Sequence, residues 1–104
     1  MKISVITATL NNGVTLEATI KSVMQQTHND VELIIVDGAS TDNSVEIISR
    51  WQQLYPDKIR FVSEPDNGVY NAINKGLKMA SGEVIGVLHG NDTFSSPHVL
   101  AQVA

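Results

Sequence analysis

The sequence predicts an α/β fold built on a parallel sheet with flanking helices, and three observations carry that prediction. Short β-branched runs alternate with segments whose apolar residues recur every three or four positions. The runs Val31–Val36 and Val84–Leu88 are apolar almost throughout, as strands covered on both faces are. The helical segments between strands are long enough to act as crossovers joining parallel neighbours.

Taken in order, Ile3–Ala8 reads as a short buried strand, and Leu16, Ile20, Val23 and Met24 then recur at helical spacing. Val31–Val36 is the strongest strand in the chain. Val45, Ile47, Ile48, Trp51 and Leu54 form the next helical stripe, and Ile59–Val62 a third strand. Val69, Ile73, Leu77 and Ala80 give a third helix, stopped at Ser81-Gly82. Glu83–Leu88 is a fourth strand, and Pro97–Val103 reads as the start of another helix. Right-handed crossovers restrict the strand order, and a half-Rossmann order of 3-2-1-4 is expected over a single domain, residues 1–104.

Composition narrows the function classes. Apolar residues make up 42% and charged residues 17%, which is globular composition and not that of a disordered chain. Seven Lys+Arg against eleven Asp+Glu leave a net charge of −4, so no nucleic acid partner is expected. The absence of Cys excludes disulfides, a thiol nucleophile and a thiolate metal site. No apolar stretch approaches the roughly 20 residues of a membrane span, and the N-terminus lacks a signal-peptide pattern, so a cytoplasmic protein is expected.

In a parallel sheet the ligand crevice lies beyond the carboxyl ends of the strands. There the sequence places Thr7, Thr9, Asn11 and Asn12 after the first strand, and Asp37-Gly38-Ala39-Ser40-Thr41-Asp42 after the second. Glu64-Pro65-Asp66-Asn67-Gly68 follows the third strand and His89-Gly90-Asn91-Asp92 the fourth. Ser40 to Asn43 read first as a helix cap, His89 as a loop histidine, and Asp66-Asn67-Gly68 equally as a turn. Asp37 points more strongly to function, because a carboxylate at the end of a buried strand needs a donor that a ligand N–H could supply. Asp37, Asp66 and Asp92 can converge, and three such carboxylates favour a hard divalent cation, Mg²⁺ or Mn²⁺. Neither G-x-G-x-x-G after the first strand nor a P-loop is present, so phosphate recognition would rest on a metal.

The ordered set SVITATLN, Ser22-Val23 with Gln25-Gln26-Thr27, VELIIVDGASTDNS and SEPDNGVYNAINKGLKMASGEVIGVLHGND resembles glycosyltransferase family 2, of the GT-A fold. Within it the E-P-D-x-G-x-Y and N-K-G pattern resembles the bacterial exopolysaccharide enzymes of colanic-acid type. The resemblance implies inverting transfer of a sugar from a nucleotide-diphosphate donor, most readily a UDP-sugar, to a saccharide or lipid-linked saccharide acceptor. By position it implies that Ala8, Thr9, Asn11 and Asp37 belong to the nucleotide pocket, that Asp66 faces the nucleotide, and that Asn91 and Asp92 occupy the D-x-D-like place. Asp92 would hold the Mn²⁺ or Mg²⁺ ion. The chain departs from the family pattern at Gly38, where a second acid is common, at Asn91 in place of Asp, and at Asn71 after the Tyr.

The resemblance also implies that these residues are the N-terminal nucleotide-sugar-binding half of a GT-A domain. The catalytic base and acceptor site are then expected in the C-terminal half, so no residue here is assigned as catalytic. Donor binding without turnover is expected, and self-association through an uncovered surface near the fourth strand. A full-length enzyme could sit peripherally on the inner membrane face. Two competing readings fit the residues less well. A sugar nucleotidyltransferase wants a basic Gly-rich loop after the first strand, where this chain has TATLNNG. A flavodoxin-like binding module of receiver type wants an acidic pair there.

Overall fold

The computed structural model describes residues 2–27, 30–65 and 69–88, with the backbone alone at 69 and 70. Its elements alternate: β1 (Ile3–Thr9), α1 (Gly13–Met24), β2 (Val31–Asp37), α2 (Ser44–Leu54), β3 (Ile59–Ser63), α3 (Val69–Met79) and β4 (Val84–Val87). β1 lies beside β2 from Ile3 opposite Val31 to Thr9 opposite Asp37. β3 follows β2, from Leu33 opposite Ile59 to Asp37 opposite Ser63. β4 takes the other side of β1, from Ile3 opposite Val84 to Ile6 opposite Val87. Every pairing is parallel and the order is β3-β2-β1-β4, as the sequence predicts.

Alternation along the strands divides the core into two layers. On one face Ile3 and Val5, Leu33 and Ile35, and Ile59 pack against Leu16, Ile20 and Val23 of α1 and Ile47 and Ile48 of α2. On the other, Ala8, Ile34 and Val36 meet Ala72 of α3. Each fully buried Ile, Leu or Val side chain contributes about 1.5–3 kcal/mol relative to exposure. Glycine at position 76 lets α3 approach β1 closely, since a Cβ there would run into the Ile6 side chain.

Several boundaries differ from the sequence expectation, and β4 is shorter at both ends, Val84–Val87 against Glu83–Leu88. β1, β2 and β3 each run one residue past their apolar runs, to Thr9, Asp37 and Ser63, because backbone pairing with the neighbouring strand continues through these polar residues. α2 begins at Ser44, so Ser40 and Thr41 lie in the loop and do not cap it. Asn43 occupies the cap position without a side-chain cap bond, and the Ser44 N–H donates instead to Asp42 Oδ1 at 2.9 Å. Leu54, expected on the buried stripe, is 65% exposed at the last turn of α2. The helix expected over Pro97–Val103 lies outside the described residues.

At the amino edge of the sheet, Glu32 is buried on the α3 face. Its Oε2 accepts from Ser4 Oγ (2.6 Å), Ser81 N–H (2.7 Å) and Ser81 Oγ (2.9 Å). Its Oε1 lies 3.5 Å from Arg60 Nη1 and 3.9 Å from Lys2 Nζ. Arg60 also donates to the Met79 carbonyl at 2.6 Å, on the last turn of α3. The cluster ties the end of α3 and the entry to β4 onto the sheet. Burial pushes the Glu32 carboxyl up, but the bonds from Ser4 and Ser81 and the Lys2 charge outweigh it and hold the pKa at about 2. Among the described residues no helix is long and apolar enough to cross a membrane.

Candidate functional site

The carboxyl edge of the sheet brings together the loops after β1, β2 and β3. Asp37, the last residue of β2, is fully buried. Its Oδ2 accepts from the Ser40 N–H and from Ser63 Oγ, each at 2.8 Å, and its Oδ1 accepts from Ser40 Oγ at 2.5 Å. Burying a carboxylate is costly unless donors surround it, and here both oxygens are supplied by the chain itself. The bond to Ser63 links β3 to β2, reinforced by the Glu64 N–H donating to the Asp37 carbonyl at 2.9 Å.

The β1–α1 loop turns on Asn12, whose Oδ1 accepts from Thr9 Oγ1 (2.8 Å) and the Leu10 N–H (3.1 Å). Asn11 follows with φ 52°, in the left-handed region that Asn tolerates better than most residues. That turn aims the Asn11 side chain across at the β2–α2 loop. Asn11 Oδ1 accepts the N–H groups of Thr41 (2.8 Å) and Asp42 (3.3 Å), while the Asn11 N–H donates to Ser40 Oγ (2.8 Å). The Gly38 N–H donates to the Thr9 carbonyl at 3.0 Å. Ala39, with φ 63°, bends the loop so that Ser40 reaches back to Asp37. The Gly13 N–H donates to Asp42 Oδ2 at 3.0 Å, and any Cβ on Gly13 would collide with the Asn43 and Asp42 side chains. Ser44, ahead of the Gly13 N–H, holds the Asp42 carboxyl below the ordinary aspartate range. On the β3 side Lys75 of α3 pairs with Glu64 at 2.9 Å and donates to the Pro65 carbonyl at 3.3 Å.

Ala8, Thr9, Asn11 and Asp37 thus stand together at this edge. Ala8, Thr9 and Asp37 are buried, and Asn11 is exposed. Asp66, Asn91, Asp92 and His89 lie outside the described residues, and with them the expected convergence of Asp37 with Asp66 and Asp92. Among the described residues no group of three or more His, Asp or Glu side chains could hold a metal ion. Sequence reasoning missed Ser63 and placed Ser40 as a cap. Only the three-residue spacing of Asp37 and Ser40 signals a local carboxylate–serine turn.

The chain is similar in sequence and fold to known proteins. The chain is 42% identical over 103 residues to an uncharacterized glycosyltransferase of Nostoc sp., covering 99% of this chain and 32% of that one. It superposes with TM-score 0.89 and 27% identity on the mannosyltransferase PcManGT of Pyrobaculum calidifontis, solved with GDP-Man and Mn²⁺, over 96% of this chain and 30% of that one. It superposes with TM-score 0.87 and 25% identity on S. aureus TarS 1-349 in complex with UDP-GlcNAc, over 99% of this chain and 30% of that one. The chain therefore spans about a third of the length of these relatives. The model of Glycosyl transferase family 2 matches residues 4–104, and the chain belongs to that family.

Proposed function

We propose that these residues form the nucleotide-sugar-binding half of an inverting glycosyltransferase that uses a nucleotide-diphosphate sugar. The observation that carries this reading is the family match over residues 4–104. The loops at the carboxyl edge of a parallel sheet, where such ligands bind, agree with it. In this reading Ala8, Thr9, Asn11 and Asp37 belong to the base and ribose pocket, and Asp66 faces the nucleotide. Asn91 and Asp92 take the diphosphate side, with Asp92 as ligand of a Mn²⁺ or Mg²⁺ ion. Such an ion, when bound, neutralises the charge that develops on the departing nucleotide diphosphate. The protein's own task here is to hold the donor with its anomeric carbon open to the acceptor. The catalytic base and the acceptor site belong to the C-terminal half.

PcManGT was solved with a GDP-sugar and TarS with a UDP-sugar, so similarity supports either base. UDP is our first choice. Exopolysaccharide assembly, with a saccharide or lipid-linked saccharide acceptor at the inner face of the membrane, is the pathway setting we favour, in a cytoplasmic enzyme. Calorimetric titration with UDP and GDP, with and without Mn²⁺, tests the reading. Metal-dependent binding that disappears in Asp92→Ala is expected, without sugar transfer by the 104 residues alone. Absence of binding to both nucleotides would overturn it. Self-association is part of the proposal too. β4 carries Ile85 and Val87, 44% and 48% exposed, and Leu77 of α3 is 43% exposed. Light scattering that shows a monomer at high concentration would count against it.

A further inference from the structure

We propose that Ser40 is a positioning residue that, backed by Asp37, locks the β1–α1 loop to the β2–α2 loop at the nucleotide-facing edge. The inference rests on the nucleotide-binding reading. Asp37 is fully buried and both its oxygens are taken by Ser40 and Ser63. Besides lining the proposed pocket, Asp37 therefore shapes the loops around it, and it reaches the β1–α1 loop through Ser40.

The chemistry at Ser40 is specific. Its hydroxyl accepts the Asn11 N–H at 2.8 Å and spends its one proton on Asp37. Of the uncharged aliphatic side chains, only a Ser or Thr hydroxyl can accept and donate through a single atom this way. Asn11 returns the link in the opposite direction, since its Oδ1 accepts from the N–H groups of Thr41 and Asp42. Two loops far apart in sequence are thus joined by bonds running both ways, closed by the chain's own groups. The left-handed backbone at Asn11 and at Ala39 is what brings these partners into range. A pocket rim set in this way spares the donor the cost of ordering it on binding.

Amide hydrogen exchange measured by NMR on wild type, Ser40→Ala and Ser40→Thr tests the lock, with the amides of Leu33 and Ile35 as the sheet reference. UDP titration in the presence of Mn²⁺ runs on the same samples. In Ser40→Ala, exchange at Asn11, Thr41 and Asp42 is expected to rise about tenfold with the sheet amides unchanged, and UDP affinity to fall about tenfold. Ser40→Thr is expected to restore both. Unchanged exchange in Ser40→Ala would overturn the proposal, as would faster exchange with undiminished affinity. Loss of protection in the sheet amides as well would also overturn it, making Ser40 a residue of the fold. Wild type that binds neither UDP nor GDP would overturn the nucleotide reading, and the exchange rates alone would then decide whether the lock exists.

Discussion

Among the described residues each edge of the sheet buries one carboxylate, and the two are satisfied in different ways. Glu32 at the amino edge has two serines and the flanking cations Lys2 and Arg60 around it. Asp37 at the carboxyl edge, among the described residues, has only neutral donors, from Ser40 and Ser63. Glu32 clamps regular elements together, the end of α3 and the start of β4. Asp37 shapes loops. Charge compensation suits a clamp that has to hold. Neutral donors from two serines fix geometry without placing a cation at the edge proposed for the nucleotide.

Removing the clamp should give the largest effect. A carboxyl moved from 4.5 to about 2 on folding corresponds to roughly 3 kcal/mol at neutral pH. Because the folded pKa is depressed, that stability is fully present above about 4.5 and is lost as pH falls toward 2. Urea denaturation of wild type should therefore weaken between pH 5 and pH 3, and Glu32→Gln should be flatter over that window. An equal slope in the variant would remove Glu32 from the account. Asp37→Ala comes next, at about 2 kcal/mol, since it strips the acceptor from three donors. Salt sharpens the contrast: 1 M NaCl should shrink the Glu32→Gln effect and leave the Asp37→Ala effect unchanged. The smallest change expected is Ala39→Gly. It relieves a left-handed alanine and should be neutral or stabilising by about 0.5 kcal/mol, measured by thermal melting. A loss above about 1 kcal/mol would mean that the alanine methyl packs favourably there.

The fold was legible because burial on both faces forces β-branched apolar runs, as in Val31–Val36, and crossovers force helical spacing, as at Leu16, Ile20 and Val23. Leu54 and Leu77 escaped that logic: each keeps the spacing of its stripe, yet they are 65% and 43% exposed, and only the tertiary arrangement shows it. At the site, the sequence shows that Asp37 needs donors. It does not show that Ser40 and Ser63 supply them, because small polar residues in loops have no period. Nor does it show Asn11 reaching Thr41, which depends on a left-handed backbone turn. The Glu32 clamp was unread for a related reason, since its partners Lys2, Ser4, Arg60 and Ser81 are scattered along the chain.

The position of β1 also governs when the molecule can be assembled. A ribosome delivers β1 first, and β2 soon after can pair with one of its edges. The other edge waits for β4, with Ile3 meeting Val84 only after β2, α2, β3 and α3 have been made. During that interval a strand destined for the interior of the sheet has an edge of unpaired backbone N–H and C=O groups. Such long-range parallel pairing is slow, and an exposed edge can recruit other chains. Nascent chains stalled before residue 84 should therefore be the most aggregation-prone species this sequence produces.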